Sequence, residues 1–542
     1  MKIKTFLTRR RKDAKLQSKT FIKIFAPSRF CAFALVLSAL NFAIFAQEQP
    51  PIPSAAKSIN IPAVKEKKLP NGLTVAVVER KNVPLVSVQM SLGSGVTTED
   101  IETAGLANMT ASLLTKGTKT RSATQIAEQI EFLGGNISTS VGLDNTNITL
   151  NITSDKLDAA MAIMADTILN PTFSPKEVEL AKSQAIDELN YNLQQPGFLA
   201  NYVASVFSFY GNPAGGTPDS IKAMTPQKMS EFYRENYYPE RATLIFVGDI
   251  TASKAFLLAQ KLFGKWKNPK SETKTVSVMS STETTETSGM TVTESSESLE
   301  SRKLAEAQQP LLKRMLVVDL PGSGQAAVSF NNSMQFAGRI VYNDEKKRGE
   351  FSNQFFPAIV MNSIFGGGYS SRLNQEIRIK RGLSYGAGSS ITWRAYDSRF
   401  STRTQTKNVS AAEVAELILA ELNKIGTAEI ATNEITARKA VLTGDFGRDL
   451  ETNLGLLEAV SDFYSDWLPS SELNSYMKNI RAVTDKQVQQ FAKENLRGGD
   501  IIIVGDYAVF KEDLAKRFPN VQIQVVKAGE LDLKKMDEVN NQ

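Results

Sequence analysis

The sequence predicts an α+β fold of two homologous α/β lobes, each a mixed, mainly antiparallel sheet with helices on one face. Three observations carry this. TPQKMSEFYRENYYPERATLIFVGDI (225–250) matches TDKQVQQFAKENLRGGDIIIVGDY (484–507). Phe232, Glu235, Asn236 and Gly248-Asp249 answer to Phe491, Glu494, Asn495 and Gly505-Asp506, an offset of 257 to 259 residues. SPKEVELAK (174–182) likewise echoes TNEITARK (432–439). In both halves a capped amphipathic helix leads into a buried strand that ends at Gly-Asp, so the chain is a duplicated unit. The third observation is a break in composition. Residues 270–310 are dominated by Ser, Thr and Glu and hold no aromatic residue. A stretch so poor in apolar surface is predicted to be a linker between lobes at 60–269 and 311–525.

Along the chain, residues 1–29 carry ten Lys and Arg against Asp13 alone, and the uncharged run FCAFALVLSALNFAIFA follows at 30–46. This reads as a signal peptide over 1–46, with Ala46 at the cleavage point and export to the periplasm or cell envelope expected. An uncleaved signal is the only membrane attachment the sequence offers. The segments 47–58 and 528–542 read as loosely ordered. LPNGLTVAVVE (69–79) predicts a hairpin about Asn-Gly, and VPLVSVQMSLG (83–93) alternates as a strand. Residues 103–116 and 122–133 read as helices and 136–152 as a strand pair.

Composition excludes several chemistries. Among 542 residues there is no histidine and one cysteine, Cys31. Ser-His-Asp and Cys-His nucleophiles, His-ligated metal sites and an internal disulfide are therefore impossible. The net charge of +6 comes from residues 1–29, which contribute +9, and the remainder is about −3. The basic balance gives no argument for nucleic-acid binding. GGGYSS (366–371) lacks the Gly-Lys-Ser/Thr of a phosphate cradle and is expected to permit close chain approach.

In order, the motifs LPNGLTVAVVE, GLA…KGT, LGGNISTSVGLDNT, FYRENYYPERATLIFVGD and GGGYSSRLNQEIRIKRGLSYGAGS resemble the pitrilysin/insulinase family of inverted-motif zinc peptidases over 60–525. That family includes the mitochondrial processing peptidases and two-lobed periplasmic proteins. The resemblance implies a clamshell of two lobes around a chamber. In active members the helix matching 105–118 carries His-x-x-Glu-His. Here those positions are Asn108, Ala111 and Ser112, and the third family ligand matches Glu188. Asn and Ser are poor zinc ligands, Ala is no base, and one carboxylate does not hold catalytic zinc. Glu188 alone is then an ordinary helix-surface carboxylate. Ser138-Thr139 match the strand on which active members pair extended substrate.

From the second lobe the family presents an Arg and a Tyr seven residues apart, which match Arg378 and Tyr385 in EIRIKRGLSYG. The resemblance implies that they donate hydrogen bonds to substrate and to the developing oxyanion. Without that role, Arg378 would complement a helix C-terminus and Tyr385 would pack.

The pattern resembles the non-catalytic chain of two-subunit members. It implies no cofactor in this chain, zinc in a sister peptidase subunit, an unfolded peptide as substrate and a heterodimer. The competing expectation is an inert peptide-binding or structural envelope protein of the same fold. A Ser-Lys hydrolase has no motif to place its residues together.

Overall fold

The computed structural model describes residues 61–269 and 309–540, apart from Phe336 and Lys347. The segment read as a signal and all but the last two residues of the stretch read as a linker lie outside them. Within the described chain the duplication becomes two six-stranded sheets of one pattern.

The first sheet is built from β1 (Lys65–Lys68), β2 (Thr74–Glu79), β3 (Leu85–Leu92), β4 (Asn136–Val141), β5 (Thr146–Thr153) and β6 (Ala242–Gly248), in the order β1-β2-β6-β3-β5-β4. The second contains β7 (Leu312–Asp319) and β8 (Ala326–Met334); a separate ribbon, β9 (Ile340–Asn343) with β10 (Arg348–Phe351), precedes β11 (Ser384–Trp393), β12 (Ser398–Thr406), β13 (Gly499–Gly505) and β14 (Ile523–Lys527). Read from the far edge, β14-β7-β13-β8-β12-β11 repeats the first order position by position. One edge departs: β1 runs antiparallel to β2, whereas β14 runs parallel to β7.

Local chemistry explains the elements. The hairpin between β1 and β2 turns through Gly72 at φ 93°, and the Asn71 amide donates to the carbonyls of Phe263 and Trp266, each at 2.9 Å. The helix Pro226–Asn236 starts where Thr225 Oγ1 accepts from Lys228 N, and the helix Asp485–Asn495 where Thr484 and Gln487 form a capping box. Gly248 closes β6 at φ 138°, where a Cβ would stand 2.2 Å from the Leu85 carbonyl oxygen.

Helices of each half cover one face of that half's sheet, as expected. The opposite faces hold what the sequence reading did not reach. Val75 and Val77 of β2 face the helices of their own half, but Ala76 and Val78 pack with Leu456, Leu457, Val460 and Phe463 of the helix Asn453–Ser465. Conversely, Leu316 and Val318 of β7 join the core of Leu199, Val203 and Val206 from the helix Pro196–Phe207, while Met315 and Val317 face their own helices. Each half thus lends one helix to the other's sheet, and strands buried on both faces become unbroken apolar runs such as LIFV and IIIV. The tail is a second correction. Instead of loose chain, 533–540 form a helix whose Leu533 is 5% exposed and packed into the same core.

Candidate functional site

The helix Leu106–Leu113 begins at Gly105, φ 87°, pressed so close to Gly215-Gly216 that a Cβ would meet Gly216 N at 2.8 Å. Its free N-terminal amides are taken by Glu99, whose carboxylate accepts from Gly105 N at 3.0 Å and from Ala107 N. Burial pushes the Glu99 carboxyl up to about 7 despite those two donors. The helix packs against the helix Pro175–Asn192, which carries Glu188.

At the motif positions there is no donor set for a metal. The Asn108 amide donates to the Ala214 carbonyl at 2.8 Å, and Ser112 Oγ donates to the Met109 carbonyl at 2.9 Å. Ala111 is 1% exposed and has no ligating atom. Glu188 is exposed and has no hydrogen bond or ion pair to the described residues. A zinc site needs about three protein ligands, and the described residues contain no group of three His, Cys, Asp or Glu able to hold an ion. These residues do not fit zinc.

In the second half, the loop Gly366–Gly368 follows the helix Phe355–Phe365. Gly366 brings that helix end onto β11: its carbonyl accepts from Ser389 N at 3.1 Å, and a Cβ on Gly366 would stand 2.4 Å from the same nitrogen. A helical turn, Arg372–Asn374, then runs into a π-helical segment, Gln375–Lys380. Such segments recur at functional sites. Here the segment carries Arg378.

The surrounding ions leave Arg378 unmatched. Glu376 is held by Lys380 at 2.8 Å and Arg381 at 2.5 Å, and Glu434 by Arg372 at 2.7 Å. No carboxylate among the described residues lies within ion-pair distance of Arg378. Its guanidinium instead lies over two rings, 4.7 Å from the centroid of Tyr385 and 5.0 Å from that of Tyr369. Tyr385 is 90% exposed, so it is not packed into a core.

Tyr385 owes its position to a β-bulge. The β11–β12 register shifts between Ser384 and Ala387, and Ser384 Oγ bridges the gap by accepting from Gly386 N at 3.0 Å and donating to the Gly386 carbonyl. Bulges re-aim side chains in this way. Buried Asn374 ties the parts together, donating to the Tyr369 carbonyl at 2.6 Å and accepting from Ala387 N at 3.3 Å.

Arg378, Tyr385 and Tyr369 line a cleft of about 710 Å³. Its other wall includes Gly197, Ala200 and Asn201 in the helix Pro196–Phe207, the one lent by the first half. The structure therefore brings Arg378 and Tyr385 together. It leaves Asn108, Ala111, Ser112 and Glu188 on another pair of helices, outside that lining. Sequence reasoning missed Tyr369, Asn374 and Arg403 of the cleft. Tyr369 carried a legible signal, an aromatic side chain in a loop of Gly and Ser that cannot bury it.

Two halves of one sheet pattern, with a cleft that brings Arg378 and Tyr385 together, define the class of protein. Residues 74–206 match the model of Insulinase (Peptidase family M16), and residues 223–442 match that of the Peptidase M16 inactive domain. The chain belongs to this insulinase/pitrilysin family. It is 25% identical over 446 residues to an uncharacterized zinc protease of Mycobacterium leprae, covering 81% of this chain and 91% of that one. Its identity to an uncharacterized zinc protease of Rickettsia felis is 23% over 422 residues, 77% of this chain and 91% of the relative. Among solved structures, a protease from Helicobacter pylori superposes with a TM-score of 0.69 at 19% identity, over 82% of this chain and all of that one. A peptidase M16 inactive domain from Pseudomonas fluorescens gives 0.66 at 20%, over 82% and 98%.

Proposed function

We propose that this chain is the non-catalytic subunit of a zinc metallopeptidase complex. It supplies Arg378 and Tyr385 to a zinc-bearing sister subunit that hydrolyses unfolded peptides. One observation carries the reading: Arg378 and Tyr385 stand together in one cleft with no carboxylate partner among the described residues, while Asn108 and Ser112 are bonded to backbone carbonyls and Ala111 has no ligating atom. A guanidinium without a carboxylate partner and an exposed phenol are poised to donate to a peptide carbonyl as negative charge develops on it. The basic flank and apolar run of residues 1–46 support export to the periplasm or envelope.

The test is reconstitution with an envelope chain bearing His-x-x-Glu-His. Hydrolysis is expected only in the mixture and is expected to stop on chelation. Arg378→Ala or Tyr385→Phe should lower turnover about 100-fold with the complex still intact by size-exclusion chromatography. Unchanged turnover in both variants would overturn the reading. It would favour the alternative, an inert peptide-binding or structural protein, for which the stacking of Arg378 between two tyrosines is sufficient in itself.

A further inference from the structure

The cleft has a second unmatched cation. Arg403 lies on β12 directly across from Gly388 of β11, is exposed, and has no ion pair with any described residue. It shares the cleft with Arg378, yet none of the described residues lining that cleft is an aspartate or glutamate. Two strand positions on, Gln405 points to the same side. Its amide nitrogen lies 2.5 Å from where a Cβ on Gly197 would be, so the first turn of the helix Pro196–Phe207 closes over this wall. That turn adds the positive end of a twelve-residue helix to the two guanidinium groups.

Elsewhere in the second half most arginines are neutralised: Arg314 by Asp500, Arg339 by Asp466, Arg372 by Glu434, Arg394 by Asp144 and Arg517 by Asp513. Arg399, Arg438, Arg481 and Arg497 also lack an ion pair among the described residues, but Arg378 and Arg403 are the two that line one cleft. Its floor includes β11, the last strand of its sheet, whose amides at Ala387 and Ser389 are already held by Asn374 and by the Gly366 carbonyl, so the donors left to a peptide there are side chains.

We propose that the cleft selects peptides by a carboxylate, and that Arg403 is the residue that reads it. This rests on the peptide-binding reading of the Arg378 cleft and names its substrate class. The backbone of an extended segment meets Arg378 and Tyr385, while a carboxylate on that segment reaches the Arg403 guanidinium in a charge-assisted contact. The carboxylate is either an internal Glu or Asp side chain or the peptide's own C-terminus.

Fluorescence anisotropy on the full chain tests this with labelled unstructured peptides, identical except for a central Glu, Gln or Lys and each made with a free or an amidated C-terminus. The Glu peptide should bind about tenfold more tightly than its Gln twin, with the gap closing at high salt. If amidation rather than the Glu-to-Gln change removes the gain, the C-terminus is the carboxylate being read. Arg403→Gln should erase the preference while leaving affinity for the Gln peptide in place, and Arg403→Lys should restore part of it. Peptides that bind with no carboxylate preference, or a preference that survives Arg403→Gln, would overturn the inference and spare the peptide-binding reading. No binding of any peptide would sink both.

Discussion

Arg378 and Glu99 show how single residues divide the work of the two halves. Arg378 keeps its donors available because its acidic neighbours are already taken by Lys380, Arg381 and Arg372. The tyrosine rings on either side hold the guanidinium in place without consuming its N–H groups, at about 0.5–1 kcal/mol per exposed cation–π contact. Glu99 does the reverse and spends a buried carboxyl on fastening the N-terminus of the helix Leu106–Leu113. Because burial raises its folded value to about 7, the protonated form is favoured in the folded state. Its contribution is therefore whole below about pH 4.5 and lost as pH rises through about 7. Asp466, raised to about 6 by burial, acts in the same sense. Glu99→Gln should accordingly flatten, without abolishing, the fall in melting temperature between pH 5 and pH 8. An unchanged slope would show that Glu99 does not titrate in that window.

At the scale of elements, much was readable and the omissions have physical causes. The hairpin at Asn71-Gly72, the paired strands read at 136–152 and the capped helices before β6 and β13 follow from turn chemistry, alternation and caps, all local signals. The π-helical segment at Gln375–Lys380 and the bulge at Tyr385 are set by tertiary fit, so only the residues Arg378 and Tyr385 and their spacing were legible beforehand. The closeness predicted for GGGYSS is visible where Gly366 meets β11. Gly366→Ala would drive a methyl group into the Ser389 amide. That overpacking should cost about 1–3 kcal/mol in denaturant unfolding and shift β11, weakening peptide binding along with it. Full peptide affinity in a destabilised variant would separate the strand's position from the cleft's function.

For the whole molecule, the periodicity of β2, β6, β7 and β13 showed strands apolar throughout, but not which helix covers the second face. That information is non-local, since the helix Asn453–Ser465 lies more than 200 residues from β6 in the chain. The consequence for stability is direct. Phe463, 3% exposed, packs on the first sheet's outer core and edge-on to Phe351 at 5.7 Å. Phe463→Ala should cost about 3–5 kcal/mol and should loosen both halves in one transition by calorimetry. Two separate melting steps would mean that the halves fold independently.

The exchange of helices also bears on what the junction at 270–308 is needed for. Each half leaves half of its sheet bare without the other, so neither should be soluble when expressed alone. The two together should find each other with no covalent tie. Cutting the chain within that junction ought to leave an intact particle of unchanged size and activity. In genetic terms, one reading frame here encodes what behaves as an obligate pair, and splitting it into two cistrons should yield the same protein.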